Sequence, residues 1–359
     1  MFGSNTGSGL VKPTNTNNSF EVPSGPSDTI SSLAWSPVGN ILAVASWDKQ
    51  VRVYEIQSAL GSGLSAVPRF AYSHEGPVLC VAFTKDGNSI ISGGCDNKVK
   101  MYNVAQQKDQ VIGTHDAPVK EVYFCDEMKM IISASWDKTV RFWNGSQPTP
   151  VCTLQLPERV YSMDLKYPLL TVATAERKVI IYNLQTIAQN QQPYKTVESK
   201  LKLQNRVISC FPDRSGFALA SIEGRCSIST IENDSNKDKN FEFKCHRTND
   251  EIFSVNAIDF HPNGVFLTGG SDGTIVIWDK DSRSRVKAFN SCNYPITAAR
   301  FSATGEILAY AIGYDWSKGH EHNQPNIPVK LFVHKLQEAD VKVSKVGSTS
   351  TTSNAFRRR

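Results

Sequence analysis

Residues 119–144 read VKEVYFCDEMKMIISASWDKTVRFWN, and this stretch recurs along the chain. Residues 30–56 read ISSLAWSPVGNILAVASWDKQVRVYEI, residues 78–104 read VLCVAFTKDGNSIISGGCDNKVKMYNV, and residues 257–279 read AIDFHPNGVFLTGGSDGTIVIWD. Each copy holds an alternating strand, a turn with Pro, Asp or Gly, a second strand, an acid-led turn, and a third strand ending in an aromatic. Aromatic and β-branched residues favour a pleated, half-buried surface, and a short acid side chain accepts backbone N–H bonds in a tight turn.

The turn acid can be followed through seven copies, at Asp48, Asp96, Asp137, Glu176, Glu223, Asp272 and Asp315, spaced 39 to 49 residues apart. That brackets the period of four-stranded propeller blades. The closing aromatic falls six residues after the acid at Tyr54, Tyr102, Trp143, Tyr182 and Trp278. The fifth copy has Ser229 there. In the seventh an insertion moves the matching aromatic to Phe332. The reading is an all-β fold, a single seven-bladed β-propeller over residues 20–338. A flexible N-terminal tail (1–19) and a basic C-terminal tail (339–359) flank it, both poor in large apolar groups. The run Phe20-Glu21-Val22 is the candidate for the strand that closes the ring on the last blade. His74 and His115 are expected to bond turn acids rather than to act in catalysis.

The bulk numbers agree. The 359 residues are 40% hydrophobic and 20% charged, with a net charge of +5, which permits contact with acidic partners without demanding it. Eight scattered cysteines with no CxxC pair read as free thiols in cytosol or nucleus. No segment has the roughly 18 consecutive apolar residues of a membrane span, so no membrane insertion is expected. No phosphate-binding loop, nucleophile elbow or paired Cys/His signature appears, and the chain reads as a binding platform, not an enzyme. His320-Glu321-His322 lacks a third ligand with clear spacing, so no metal and no cofactor are expected.

Two surface features remain. The inserted loop 313–322, GYDWSKGHEH, carries Trp316 and Lys318, an aromatic face beside a cation that suits stacking on an unpaired base with a phosphate contact. It equally suits a pocket for a peptide side chain. Basic residues gather at Arg225 in EGR and at Lys244, His246 and Arg247 in FKCHR, where an acidic peptide would find charge partners.

The strings SWDKQVRVYE, SASWDKTVRFW, EGRCSI, FKCHR, VNAIDFHP, GGSDG and YDWSKGHE resemble the WD-repeat messenger-RNA export factors of the nuclear pore, over residues 28–332. The resemblance implies a non-catalytic scaffold that binds the acidic GLEBS motif of a GLFG-repeat nucleoporin, contacts RNA and messenger ribonucleoprotein, and supports mRNA export. It implies Trp47, Arg225, Lys244 and Arg247 as receivers of the peptide, and Trp316 and Lys318 as RNA-facing residues. The implied location is the nucleus and nuclear pore, with some cytoplasmic presence. A spindle role would add checkpoint kinases and microtubule-associated factors as partners. The sister family, the WD-repeat mitotic checkpoint protein that recruits GLEBS-containing kinases, shares EGR, KCHR and GGSDG and is the alternative; YDWSKGHE ranks the export family first. Against that family's pattern, Cys226-Ser227 predict a looser fifth blade, and the pattern does not place the Asn-rich insertion 233–240.

Overall fold

The computed structural model describes residues 17–58, 63–232, 239–324 and 326–343. The expected tails 1–16 and 344–359 and most of the 233–240 insertion lie outside them. Seven four-stranded antiparallel sheets form, the blades of a propeller. They span residues 30–73, 78–114, 119–155, 160–198, 205–244, 255–288 and 296–335. The last blade has only three strands of its own. Its outer strand is Phe20–Glu21, paired as Phe20↔Val333 and Glu21↔Phe332, with Val22 N–H bonding Leu331 O at 2.8 Å. The expected closing strand is therefore where the sequence placed it, and it pairs with strand 330–335, leaving the seventh blade only a two-residue outer edge. Contacts between first strands run from each blade to the next and from the seventh back to the first.

Seven apolar clusters fill the seven gaps between blades. A single blade cannot hide both faces, so burial holds the ring as a whole. The closing aromatics Tyr54, Tyr102, Trp143, Tyr182, Trp278 and Phe332 are all buried in these gaps. Where the fifth blade has Ser229 instead, the gap to the fourth blade is filled by aliphatic side chains and by Phe217, the strand partner of Ser229. Cys226 and Ser227 are both buried in a regular strand, so the fifth blade keeps its pairing.

The turn acids do what a tight turn needs. Asp48, Asp96, Asp137, Asp272 and Asp315 each accept the backbone N–H two residues on, at 3.0–3.2 Å. In three blades the acid also anchors a buried chain. His115 Nδ1 bonds Asp137 at 2.8 Å, His115 Nε2 meets Ser133 Oγ at 2.7 Å, and Trp143 Nε1–H donates to that hydroxyl at 2.7 Å. His246, Asp272, Thr268 and Trp278 repeat it. In the second blade His74, Asp96 and Ser92 do the same, with the Tyr72 hydroxyl replacing the indole. His74 and His115 are structural, as expected. His246 is too, although the sequence alone grouped it with the surface cations.

Every first strand is bulged after its first residue. The first residues form one column: Ile30, Val78, Val119, Val160, Asn205, Val255 and Ile296. The bulged residues form a second ring, Ser31, Leu79, Lys120, Tyr161, Arg206, Asn256 and Thr297, all lining the mouth of the central channel. Among the described residues no helix is long and apolar enough to cross a membrane.

Candidate functional site

Trp47, Arg225, Lys244, Arg247, Trp316 and Lys318 all stand on, or next to, loops joining second to third strands or one blade to the next. Those loops share one face of the ring with the His–acid anchors. The structure gathers the six into two groups.

The first group is built on the fifth blade. Arg225 and Lys244 face each other in strand register. Arg247 follows after Cys245 and His246, both buried. Gly224, at φ +60°, makes the approach possible, since a Cβ there would lie 2.7 Å from Arg247 Cγ and 2.8 Å from His246 O. His246 turns inward to Asp272, which leaves Lys244 exposed and Arg247 half-exposed on either side. Arg225 reaches Glu223 at 3.9 Å and Glu242 at 4.0 Å. Ion pairs that long are weak, so a better-placed carboxylate can displace them. A groove of about 720 Å³ opens beside Lys244 and Arg247 towards Arg285 and Phe289.

The second group sits at the channel mouth. Trp316 stacks on Trp47, centroids 4.9 Å apart and planes at 25°. The inserted loop is tied down rather than loose. Tyr314 is buried, its hydroxyl donates to Gly319 O at 2.7 Å and accepts from Lys318 N–H at 3.2 Å, and Thr29 Oγ1 donates to Tyr314 O at 3.2 Å. Asp315 accepts from Ser271 Oγ, from Asn256 Nδ2 at 3.1 Å and from Ser317 N–H at 3.2 Å. Burial alone would raise the Asp315 carboxyl, but these bonds outweigh it and hold it below the usual range. Between these anchors Trp316 adopts φ +62°, a conformation a bulky residue rarely takes. Trp316 is half-buried and Lys318 exposed. Trp47, expected among the peptide receivers, thus lies against the aromatic expected to face RNA.

Sequence reasoning passed over the channel mouth itself, where Asn205, Arg206 and Thr297 stand. The available signal was a column of Val and Ile interrupted once by Asn205, visible only after the strands are set in register. His320–His322 forms an exposed 3-10 turn, and among the described residues no group of three or more His, Cys, Asp or Glu side chains sits together as a metal site would need.

Four stretches, residues 18–55, 67–103, 106–144 and 238–279, match the sequence model of the WD domain, G-beta repeat. The chain is 50% identical over 339 residues to "Protein RAE1" of Arabidopsis thaliana, covering 93% of this chain and 96% of that protein. It is 43% identical to "mRNA export factor GLE2" of Chaetomium thermophilum, over 94% of this chain and 95% of that one. Identity to the "Poly(A)+ RNA export protein" of Schizosaccharomyces pombe is 41%, over 90% and 92%.

Proposed function

The chain belongs to the WD40-repeat family of messenger-RNA export factors, and from that premise we propose that it is the export adaptor which holds an acidic nucleoporin segment of GLEBS type with one group of side chains and RNA with another. The family supports a role in mRNA export and points to a scaffold without catalysis. The observation that carries the peptide half is the Arg225–Lys244–Arg247 cluster, three cations on one blade edge, of which Arg225 meets its carboxylates only at 3.9 and 4.0 Å. Paired glutamates suit it, because Arg225 and Arg247 can each take a carboxylate in a two-pronged bond. Trp47 joins the same peptide if the segment continues from the fifth blade across to the first.

The RNA half rests on Trp316 and Lys318, an aromatic and an exposed cation on one anchored loop. Docking on the nucleoporin would bring the chain to the nuclear pore. The checkpoint reading uses the same cation cluster and adds kinases and spindle factors as partners; the matches to export-named proteins support the export reading over it.

Calorimetric titration of the full chain with an acidic peptide carrying paired glutamates tests the peptide half. We expect Arg225→Glu with Lys244→Glu to weaken binding at least 100-fold with thermal stability unchanged. Undiminished binding would remove the assignment.

A further inference from the structure

Among the described residues, the buried side-chain atoms without a hydrogen-bond partner are Asn205 Oδ1, Asn205 Nδ2, Thr297 Oγ1 and Trp316 Nε1. Folded proteins leave few such atoms, because each is destabilising. Here all four belong to residues lining one cavity of about 470 Å³ at the channel mouth. Six of the seven column positions are Val or Ile, and only the fifth blade places an amide there. Next to it Arg206 lines the channel; among the described residues it makes no ion pair within 4.0 Å, and Asp315 on the same wall is its counter-charge. The other mouth charges are engaged: Lys120 holds Glu121 at 3.1 Å, Arg300 holds Asp259 at 3.1 Å, and Asp315 has its three donors. Overhead lie the stacked Trp47–Trp316 pair and the partly exposed Trp136.

We propose that this mouth binds one nucleotide of a single-stranded RNA, with a phosphate on Arg206 and Thr297, the base edge on Asn205, and the base face against the Trp316–Trp47 pair. This rests on the RNA reading above and gives it a seat. Arg206, Thr297 and the Trp316 N–H all serve an anion, but the Asn205 amide needs a donor and an acceptor together. A base edge supplies both, as a peptide backbone does, whereas a bare carboxylate supplies only acceptors; the aromatic pair beside the amide is what favours the base. Aromatic faces beside a cation suit base stacking with a phosphate contact, and the volume falls in the range of small-ligand sites. Asn205 is fully enclosed, so its contact forms as the base displaces part of the wall.

The test is fluorescence anisotropy of a labelled uridine octamer with the full chain, beside calorimetry with the acidic peptide. Arg206→Ala should weaken RNA binding about tenfold and Thr297→Val about threefold, typical of a lost charged and a lost neutral hydrogen bond. Asn205→Val, which gives the fifth blade the side chain of its neighbours, should weaken RNA about threefold while raising Tm by about 2 °C, because an unpaired amide is removed. Peptide affinity should stay unchanged in all three. Equal RNA binding by wild type, Arg206→Ala and Asn205→Val would overturn the nucleotide seat and leave the RNA reading standing. No binding of the octamer by wild type would overturn both. Loss of peptide rather than RNA affinity in Arg206→Ala would assign the mouth to the peptide and overturn the proposal.

Discussion

The second, third and sixth blades and the fifth and seventh are built on the same four-strand plan, yet they spend their polar groups differently. In the former, a His from the preceding connection, the turn acid and a strand hydroxyl all find partners, and the chain ends on a buried Trp or, in the second blade, on Tyr72 of the first. In the latter the network is missing. Glu223 instead accepts Lys202 N–H at 2.8 Å, Asp315 turns to its neighbour blade, and Asn205, Thr297 and Trp316 keep atoms without partners. The difference teaches where each kind of work is done: closed networks fix the ring, and the guests proposed above would meet the open regions. The matched family stretches cover most of the first, second, third and sixth blades, and only the outer strands of the fifth and seventh.

Breaking a closed network should cost most. His115→Ala leaves Asp137 and Ser133 without their buried partner and should destabilise the fold by about 3 kcal/mol. Arg206→Ala, in an open region, should shift stability by less than about 0.5 kcal/mol. Urea denaturation of both variants checks the contrast; equal losses would erase it.

Acid sharpens it next. Burial pushes the Asp96, Asp137 and Asp272 carboxyls up, but the bonds from His74, His115 and His246 and from the turn amides more than offset this, so all three sit below the usual range. Groups depressed in the folded state stabilise it above the unfolded aspartate value of about 4, and that stability is lost as pH falls below it towards the folded value. Tm should therefore drop between pH 5 and pH 2, with a shallower slope in His115→Ala. A wild-type Tm constant over that window would contradict the network's weight.

The smallest effect lies within the closed class. Tyr72→Phe removes one 2.9 Å bond to Ser92 and keeps the ring stacked on Tyr102, so it should cost about 1 kcal/mol. A loss as large as that of His115→Ala would show that the substituted tyrosine carries the blade.

Much of this was legible in the sequence because its signals are local. The acid-to-aromatic spacing of six residues placed the third strand in five blades, and the Phe20-Glu21-Val22 run marked the closure. The EGR and KCHR cations were visible as residue types. His246 was misgrouped because its partner Asp272 is 26 residues away, and nothing in FKCHR says which side chain turns inward. The stack of Trp47 on Trp316 joins the first and seventh blades, so only ring closure reveals it. Asn205 was hidden for the same reason: its oddness exists only against the six other first strands.

The central claim is that one face of the ring receives an acidic guest at the fifth blade while the closed blades stay passive. Hydrogen exchange of the full chain, with and without the paired-glutamate peptide, tests it directly. The account predicts slowed exchange at amides 222–226 and 244–248, with the turns at Asp96 and Asp137 unchanged. Protection confined to the opposite face, or absent from both fifth-blade segments at saturating peptide, would contradict it.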